Sequence, residues 1–282
     1  MLVGLLALAT LGSCSADGPG RPTASEPARD GVPDRVAPMA AATETSLAED
    51  AELKMRAARI TSTFENATLL IQYDYVENIG DGRGLTVGRA GFTSGTGDLL
   101  LFVRRYTELR PDNPLAAYLP ALEAVNGTDS EEGLGGFAEA WHRESRRTEQ
   151  RGLQDRLVDE LYFEPAMRYS RKAGLRTPLG QAIMWDTMIQ HGAGGEHGTK
   201  ALVAETRASL PDATVDEGAW LRAFLDVRLR HLIRSYEGTP TEAEGASQSR
   251  VDALRSLVAA GKWSLQEPLV WEVYEEEFRL GG

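Results

Sequence analysis

The chain is nearly free of cysteine: Cys14 is the only one in 282 residues, so no intramolecular disulfide can form. Histidine is scarce as well. His142, His191, His197 and His231 match no standard zinc spacing, and the region beyond Cys14 holds no thiol to complete one. No zinc site is expected on this reading, nor any other metal or cofactor. Positive charge is also in deficit, with 30 Lys and Arg against 42 Asp and Glu and a formal net charge of -12. Such a surface repels nucleic-acid phosphates and anionic headgroups and attracts cations, cationic polymers included. Acidity also serves solubility alone, so charge does not by itself assign a partner.

The opening, MLVGLLALATLGS, is apolar but too short to span a bilayer, and no Lys or Arg precedes it. It reads as a secretory h-region. Leu11-Gly12-Ser13-Cys14 has the form of a bacterial lipobox, in which the cysteine is lipidated after cleavage. The alternative is an incidental cysteine in a discarded signal peptide. Residues 1–14 are thus expected to direct export, leaving a secreted protein or one anchored at the cell surface. Residues 15–45 are rich in Pro, Gly, Ala and charge without apolar periodicity, the composition of a flexible linker. One catalytic domain is expected over 46–282, as a monomer.

Within that domain, Ser46-Leu47-Ala48-Glu49 has the form of a capping box, followed by Leu53, Ala57, Ile60 and Phe64 at helical spacing. The helix should end near Glu65-Asn66. Residues 69–76 are aromatic and β-branched and read as a strand. Gly80-Asp81-Gly82-Arg83-Gly84 is a turn, and residues 85–92 should pair back on the first strand. Helices are expected at 98–109, 114–125, 136–150, 151–173, 199–209, 216–236 and 249–260. Residues 179–189 are nearly all apolar and predict a buried central helix. The fold class is α+β, predominantly helical, with one small sheet near the N-terminal side.

Two carboxylates stand out. Glu65 sits at a helix end and Asp81 on a glycine-rich turn. Glycoside hydrolysis needs two carboxyl groups flanking the bond, one holding a proton and one ionised. On the residues alone this is one candidate pair among 42 acidic residues. The glycine-rich turn matches neither the P-loop nor the dinucleotide fingerprint. Asp186, in the apolar helix, must be paired or neutral, and Arg228 and Arg250 are candidate partners. That group reads either as a structural ion pair or as a network that sets the pKa of an active-site carboxylate. Arg222, Arg228, Arg230 and Arg234 read as a solvated helix face, and the five tryptophans as packing residues.

Three stretches carry a resemblance: Glu65-Asn66; Gln72-Tyr73-Asp74-Tyr75-Val76-Glu77-Asn78-Ile79-Gly80-Asp81-Gly82-Arg83-Gly84; and Gly91-Phe92-Thr93-Ser94-Gly95-Thr96-Gly97-Asp98. They continue through Tyr162-Phe163-Glu164-Pro165-Ala166, Leu179-Gly180-Gln181, His191-Gly192 and Phe224-Leu225-Asp226 with Arg228. Together they resemble the glycoside hydrolase family 46 chitosanases. The resemblance implies a lysozyme-like, two-lobed fold with a substrate cleft between the lobes. It implies inverting endo-hydrolysis of β-1,4 links between glucosamine units of chitosan. Glu65 would then be general acid and Asp81 general base, with Thr86 helping to hold the attacking water. Tyr75, Arg83, Asp98 and His191 would bind substrate, and Asp186, Arg228 and Arg250 would support the acid. The stretch between Arg228 and Arg250 is longer than in relatives, with Ser235 at one substrate-contacting position and Glu237, Glu242 and Glu244 nearby. Two other readings compete: a cleft enzyme for acetylated sugar, which Asp98 opposes because an N-acetyl group offers no cation, and a non-catalytic chitosan-binding protein.

Overall fold

The computed structural model describes residues 45–80, 82–210, 215–235 and 241–282, with side chains omitted at Ser235, 241–244 and 246. The signal and linker segments, Asp81 and Glu237 lie outside the described residues, as do the side chains of Ser235, Glu242 and Glu244. The chain divides into two compact units, one formed by Ala58–Glu164 and the other by the described residues before Ala58 together with Pro165–Gly282.

Helix α1 covers Ala51–Asn66 and ends where the sequence predicts. Its start does not. Ser46 donates from its N–H to Glu49 Oε2 at 3.3 Å, but its Oγ accepts from the Ala48 N–H at 3.2 Å, around a separate turn. Asp50 is the cap, its Oδ1 accepting from the N–H groups of Glu52 and Leu53 at 2.9 and 3.0 Å.

In the first unit, strands β1 (Val76–Asn78), β2 (Leu85–Val87) and β3 (Phe92–Thr93) form one antiparallel sheet in that order. Glu77 faces Thr86, and Thr86 faces Thr93. Both predicted strands are shorter than expected. Tyr73 donates from its N–H to the Ile71 carbonyl in a tight turn, so pairing cannot start before Val76. Gly88 and Gly91, at φ +70 and +65, break the second stretch into β2 and β3. Helices α2 (Asp98–Leu109), α3 (Leu119–Val125), α4 (Phe137–Glu144) and α5 (Thr148–Val158) pack around the sheet, with a 3-10 segment Pro114–Tyr118 before α3. Leu85, Val87, Phe92, Leu99, Phe102 and Trp141 belong to their common core. Expected helix 136–150 breaks at Ser145–Arg147, and expected helix 151–173 is α5 running through a π-helical turn, Asp159–Phe163, into α6 (Glu164–Ala173).

In the second unit, α7 (Pro178–His191) is buried along almost its whole length, as its apolar run predicts. Thr177 Oγ1 caps it by accepting from the Gly180 N–H at 3.0 Å. Helices α8 (Thr199–Ser209), α9 (Glu217–Ser235) and α10 (Thr241–Ala259) follow. Helix α10 begins eight positions before the expected 249. A hairpin of β4 (Leu269–Val273) and β5 (Glu276–Leu280) packs on α10. It was not expected, although Leu269, Trp271 and Val273 alternate inward with Val270 and Glu272 outward. Tyr274 and Glu275 turn it, both at positive φ. Among the described residues no helix is long and apolar enough to cross a membrane.

Candidate active site

Glu65 lies in the last turn of α1, half buried. The helix stops there because Ala67 turns to φ 48 while its N–H bonds to the Thr63 carbonyl at 3.1 Å. Ser62 Oγ then donates to the Leu70 carbonyl at 2.9 Å and fixes the chain reversal. From this reversal the chain leads into the hairpin. Its turn includes Gly80 and Gly82, which sit at φ +71 and +82; Asp81, between them in sequence, lies outside the described residues. Gly84 closes the turn at φ +74, where an added Cβ would strike Ser94 Oγ. That hydroxyl accepts the Leu85 N–H at 3.0 Å and so begins β2.

Thr86 is the middle residue of β2, the central strand, and only 5% exposed. Its Oγ1 is buried and has no hydrogen-bond partner among the described residues. An unmet buried hydroxyl costs about 1–3 kcal/mol. The group is therefore suited to meet something that arrives from outside the chain.

Asp98 opens α2. Its Oδ1 takes three hydrogen bonds, from the N–H groups of Thr93 and Leu99 and the hydroxyl of Thr96, at 2.7, 2.8 and 2.8 Å. Oδ2 takes none of these. Burial pushes the carboxyl above the ordinary aspartate range, and the three bonds pull part of the way back. Tyr75 enters β1 and donates to Glu77 Oε2 at 2.7 Å. Arg83 is half buried, and its carbonyl accepts the Gly95 N–H at 2.9 Å.

The second unit carries the remaining expected residues. Asp186 is buried in α7 and holds two arginines that are themselves 0% exposed. Arg250 binds it in a fork, Nη2 to Oδ1 at 2.8 Å and Nε to Oδ2 at 3.2 Å, and Arg228 Nη2 reaches Oδ2 at 2.8 Å. Burial favours the neutral acid here, but Arg250 and Arg228 outweigh it and hold Asp186 below the ordinary range. The sequence pairing of Asp186 with both arginines is thus found, whereas placing Arg228 on a solvated face is not: helix α9 turns that guanidinium inward to meet the carboxylate.

His191, in the last turn of α7, donates from Nδ1 to the His197 carbonyl at 2.8 Å. Its Nε2 is buried without a partner. Burial, then the Arg228 charge, push its pKa down to about 3, so the ring is neutral and Nε2 offers a lone pair.

The sequence model of glycosyl hydrolase family 46 matches residues 59–269. The chain belongs to that family. A chitosanase of Bacillus subtilis (strain 168) is 43% identical over 222 residues, 77% of this chain and 80% of that one. Among solved structures, a native chitosanase from Bacillus subtilis MY002 is 42% identical with a TM-score of 0.73, covering 81% of this chain and 98% of that one. A family 46 chitosanase of Gynuella sunshinyii, solved in complex with chitotetraose, is 39% identical, again with a TM-score of 0.73, covering 82% and 98%. The family 46 span includes every expected site residue from Glu65 to Arg250.

Within this family 46 chain, two groups near the expected residues escaped the sequence reading. His197 Nδ1 lies 3.1 Å from His231 Nδ1, and His231 Nε2 donates to Glu205 at 2.8 Å. The clustering of three of the four histidines within 191–231 is the one signal the sequence offered. The other is Gln154 on α5, a fully buried amide at the base of the hairpin, which no motif marks.

Proposed function

We propose that this chain is an inverting endo-chitosanase, with Glu65 as general acid and Asp81 as general base. The observation that carries the assignment of roles is the buried, partnerless hydroxyl of Thr86, two residues past the turn that holds Asp81. Family membership supplies the substrate class, chitosan.

In the reaction, Glu65 gives its proton to the glycosidic oxygen as the bond from that oxygen to C1 breaks. Asp81 takes a proton from a water whose oxygen attacks C1 from the opposite face. The product carries inverted configuration at C1, and the two carboxyls end with their protonation states exchanged. Inversion requires the pair to stand roughly 6.5–9.5 Å apart so that the water fits between base and sugar. Thr86 can accept from that water or donate to it without adding charge.

Asp98 and His191 suit a substrate of amino sugars. Oδ2 of Asp98 is an acceptor for an ammonium group, and a bound cation would draw its raised pKa back down. His191 Nε2 is a neutral acceptor for an ammonium or hydroxyl. Tyr75 and Arg83 belong to the same substrate-binding set. Asp186, Arg228 and Arg250 support the acid in this reading: two guanidiniums for one carboxylate form a positively charged group, which favours a further carboxylate as partner. Residues 1–14 are taken as an export signal, residues 15–45 as a linker, and the working form as a secreted monomer or one anchored through Cys14.

The test is release of reducing ends from highly deacetylated chitosan, run beside fully acetylated chitin oligomers, with wild type and Glu65→Gln. Cleavage of chitosan alone, reduced about 10²–10⁴-fold in the variant, is expected. A folded wild type that ignores chitosan would overturn the substrate. A variant with wild-type turnover would overturn the role of Glu65.

A further inference from the structure

The hairpin that carries Thr86 is gripped at its base by one side chain. Gln154, on α5, is 0% exposed. Its Nε2 donates to the Tyr73 carbonyl at 2.9 Å, on the chain entering β1. Its Oε1 accepts the Arg89 N–H at 2.9 Å, on the chain leaving β2. A single amide thus ties together both ends of the hairpin. The second Nε2 hydrogen goes to Gln150 Oε1 at 2.8 Å, one helical turn earlier, and fixes the orientation of the amide.

The neighbours tighten the same grip. Trp141 Nε1 donates to the same Tyr73 carbonyl at 3.1 Å. Gly88 donates to the Tyr75 carbonyl at 2.8 Å and leaves no room for a side chain, since a Cβ there would lie 2.5 Å from Gln154 Oε1 and 2.9 Å from Trp141. Asp155, next along α5, accepts the Tyr73 hydroxyl at 2.9 Å and pairs with the Arg89 guanidinium.

We propose that Gln154 is a positioning residue for hydrolysis: its amide sets the hairpin whose strand bears Thr86 and whose turn bears Asp81. This rests on the roles given to those two residues above. The site needs a group that both donates and accepts at one point. Among uncharged side chains of this length, only glutamine does so. The Tyr73 carbonyl lies before β1 and the Arg89 N–H after β2, so loosening either shifts the strands relative to α5. A displacement of about 1 Å in a catalytic group can cost on the order of 10²-fold in rate.

The experiment compares full-length wild type, Gln154→Met and Gln154→Glu. Methionine keeps the volume and removes every bond. Glutamate keeps the shape and the acceptor, and it donates to Tyr73 only when protonated. Peptide-resolved hydrogen exchange reads the hairpin, and chitosan hydrolysis reads kcat and KM separately. For Gln154→Met we expect exchange over 74–89 to quicken while α7 is unchanged, and kcat to fall about 10- to 100-fold with KM within about twofold. For Gln154→Glu the deficit relative to wild type should narrow as pH falls, because the protonated carboxyl restores the donor. That recovery also serves if the methionine variant does not fold. Unchanged hairpin exchange, an unchanged kcat, or a Gln154→Glu deficit that ignores pH would overturn the proposal. A wild type inactive on chitosan would instead sink the function assigned above, and hairpin exchange would then decide the clamp by itself.

Discussion

In the unit built from Ala58–Glu164, Glu65 ends a helix and Thr86 sits on a three-residue strand, in a hairpin held by backbone bonds, hydroxyls and one amide. In the other unit, Asp186 is held by two buried guanidiniums on separate helices. The first arrangement places groups without charging their surroundings, and it leaves the Thr86 hydroxyl unmet. The second is electrostatic and has high stakes for folding, because removing one member leaves the others as uncompensated buried charge. Substitution in the first place should therefore cost turnover more than stability, and in the second it should cost stability most.

The largest effect should come from Asp186→Ala. Stranding two buried guanidiniums should cost about 3–5 kcal/mol, read by denaturant unfolding. The sign with pH follows from the depressed pKa. The ion cluster contributes fully above the unfolded aspartate pKa of about 3.9 and loses that contribution as pH falls toward the lower folded value. Wild type should thus destabilise in acid along a component that Asp186→Asn lacks. Equal acid sensitivity in the two proteins would break the comparison.

Thr86→Val should do the reverse. It removes an unmet hydroxyl, so unfolding should shift toward greater stability, by up to about 1–3 kcal/mol. Turnover should drop about tenfold, the worth of one hydrogen bond of about 1.4 kcal/mol in the transition state. A clear loss of stability with normal turnover would reverse the assignment of that strand.

Asp98→Asn should be milder, raising KM for chitosan several-fold with kcat nearly unchanged. Because burial raises the Asp98 pKa, wild-type KM should start to climb, as pH falls, at a higher pH than an exposed aspartate would give. The variant should lack that limb, and titration of KM checks it. The smallest effect belongs to the exposed pair Arg104 and Glu123, 2.7 Å apart. Arg104→Ala should change stability by less than about 0.5 kcal/mol and leave activity alone.

Legibility in the sequence follows the same division. Helices with a strong apolar signal, such as the nearly continuous apolar run of α7, and the turn rich in glycine could be read because local chemistry dictates them. The pairing of Asp186 with Arg228 and Arg250 could be inferred because a charge inside an apolar helix needs a partner. What escaped were contacts across long sequence separations between unremarkable residues. Gln154 reaches Tyr73 across 81 positions, and glutamine carries no motif. Asp50 displaced Ser46 as the helix cap because both are good caps and only the packed chain chooses between them. The β4–β5 hairpin was overlooked although its alternation is regular, since a run of glutamates obscured the second strand.

The most direct test is proton NMR of the first products from a fully deacetylated chitosan oligomer, recorded before mutarotation. Inversion by Glu65 and Asp81 predicts that the α-anomer appears first. A β-anomer appearing first, or no cleavage of the oligomer, would contradict the account.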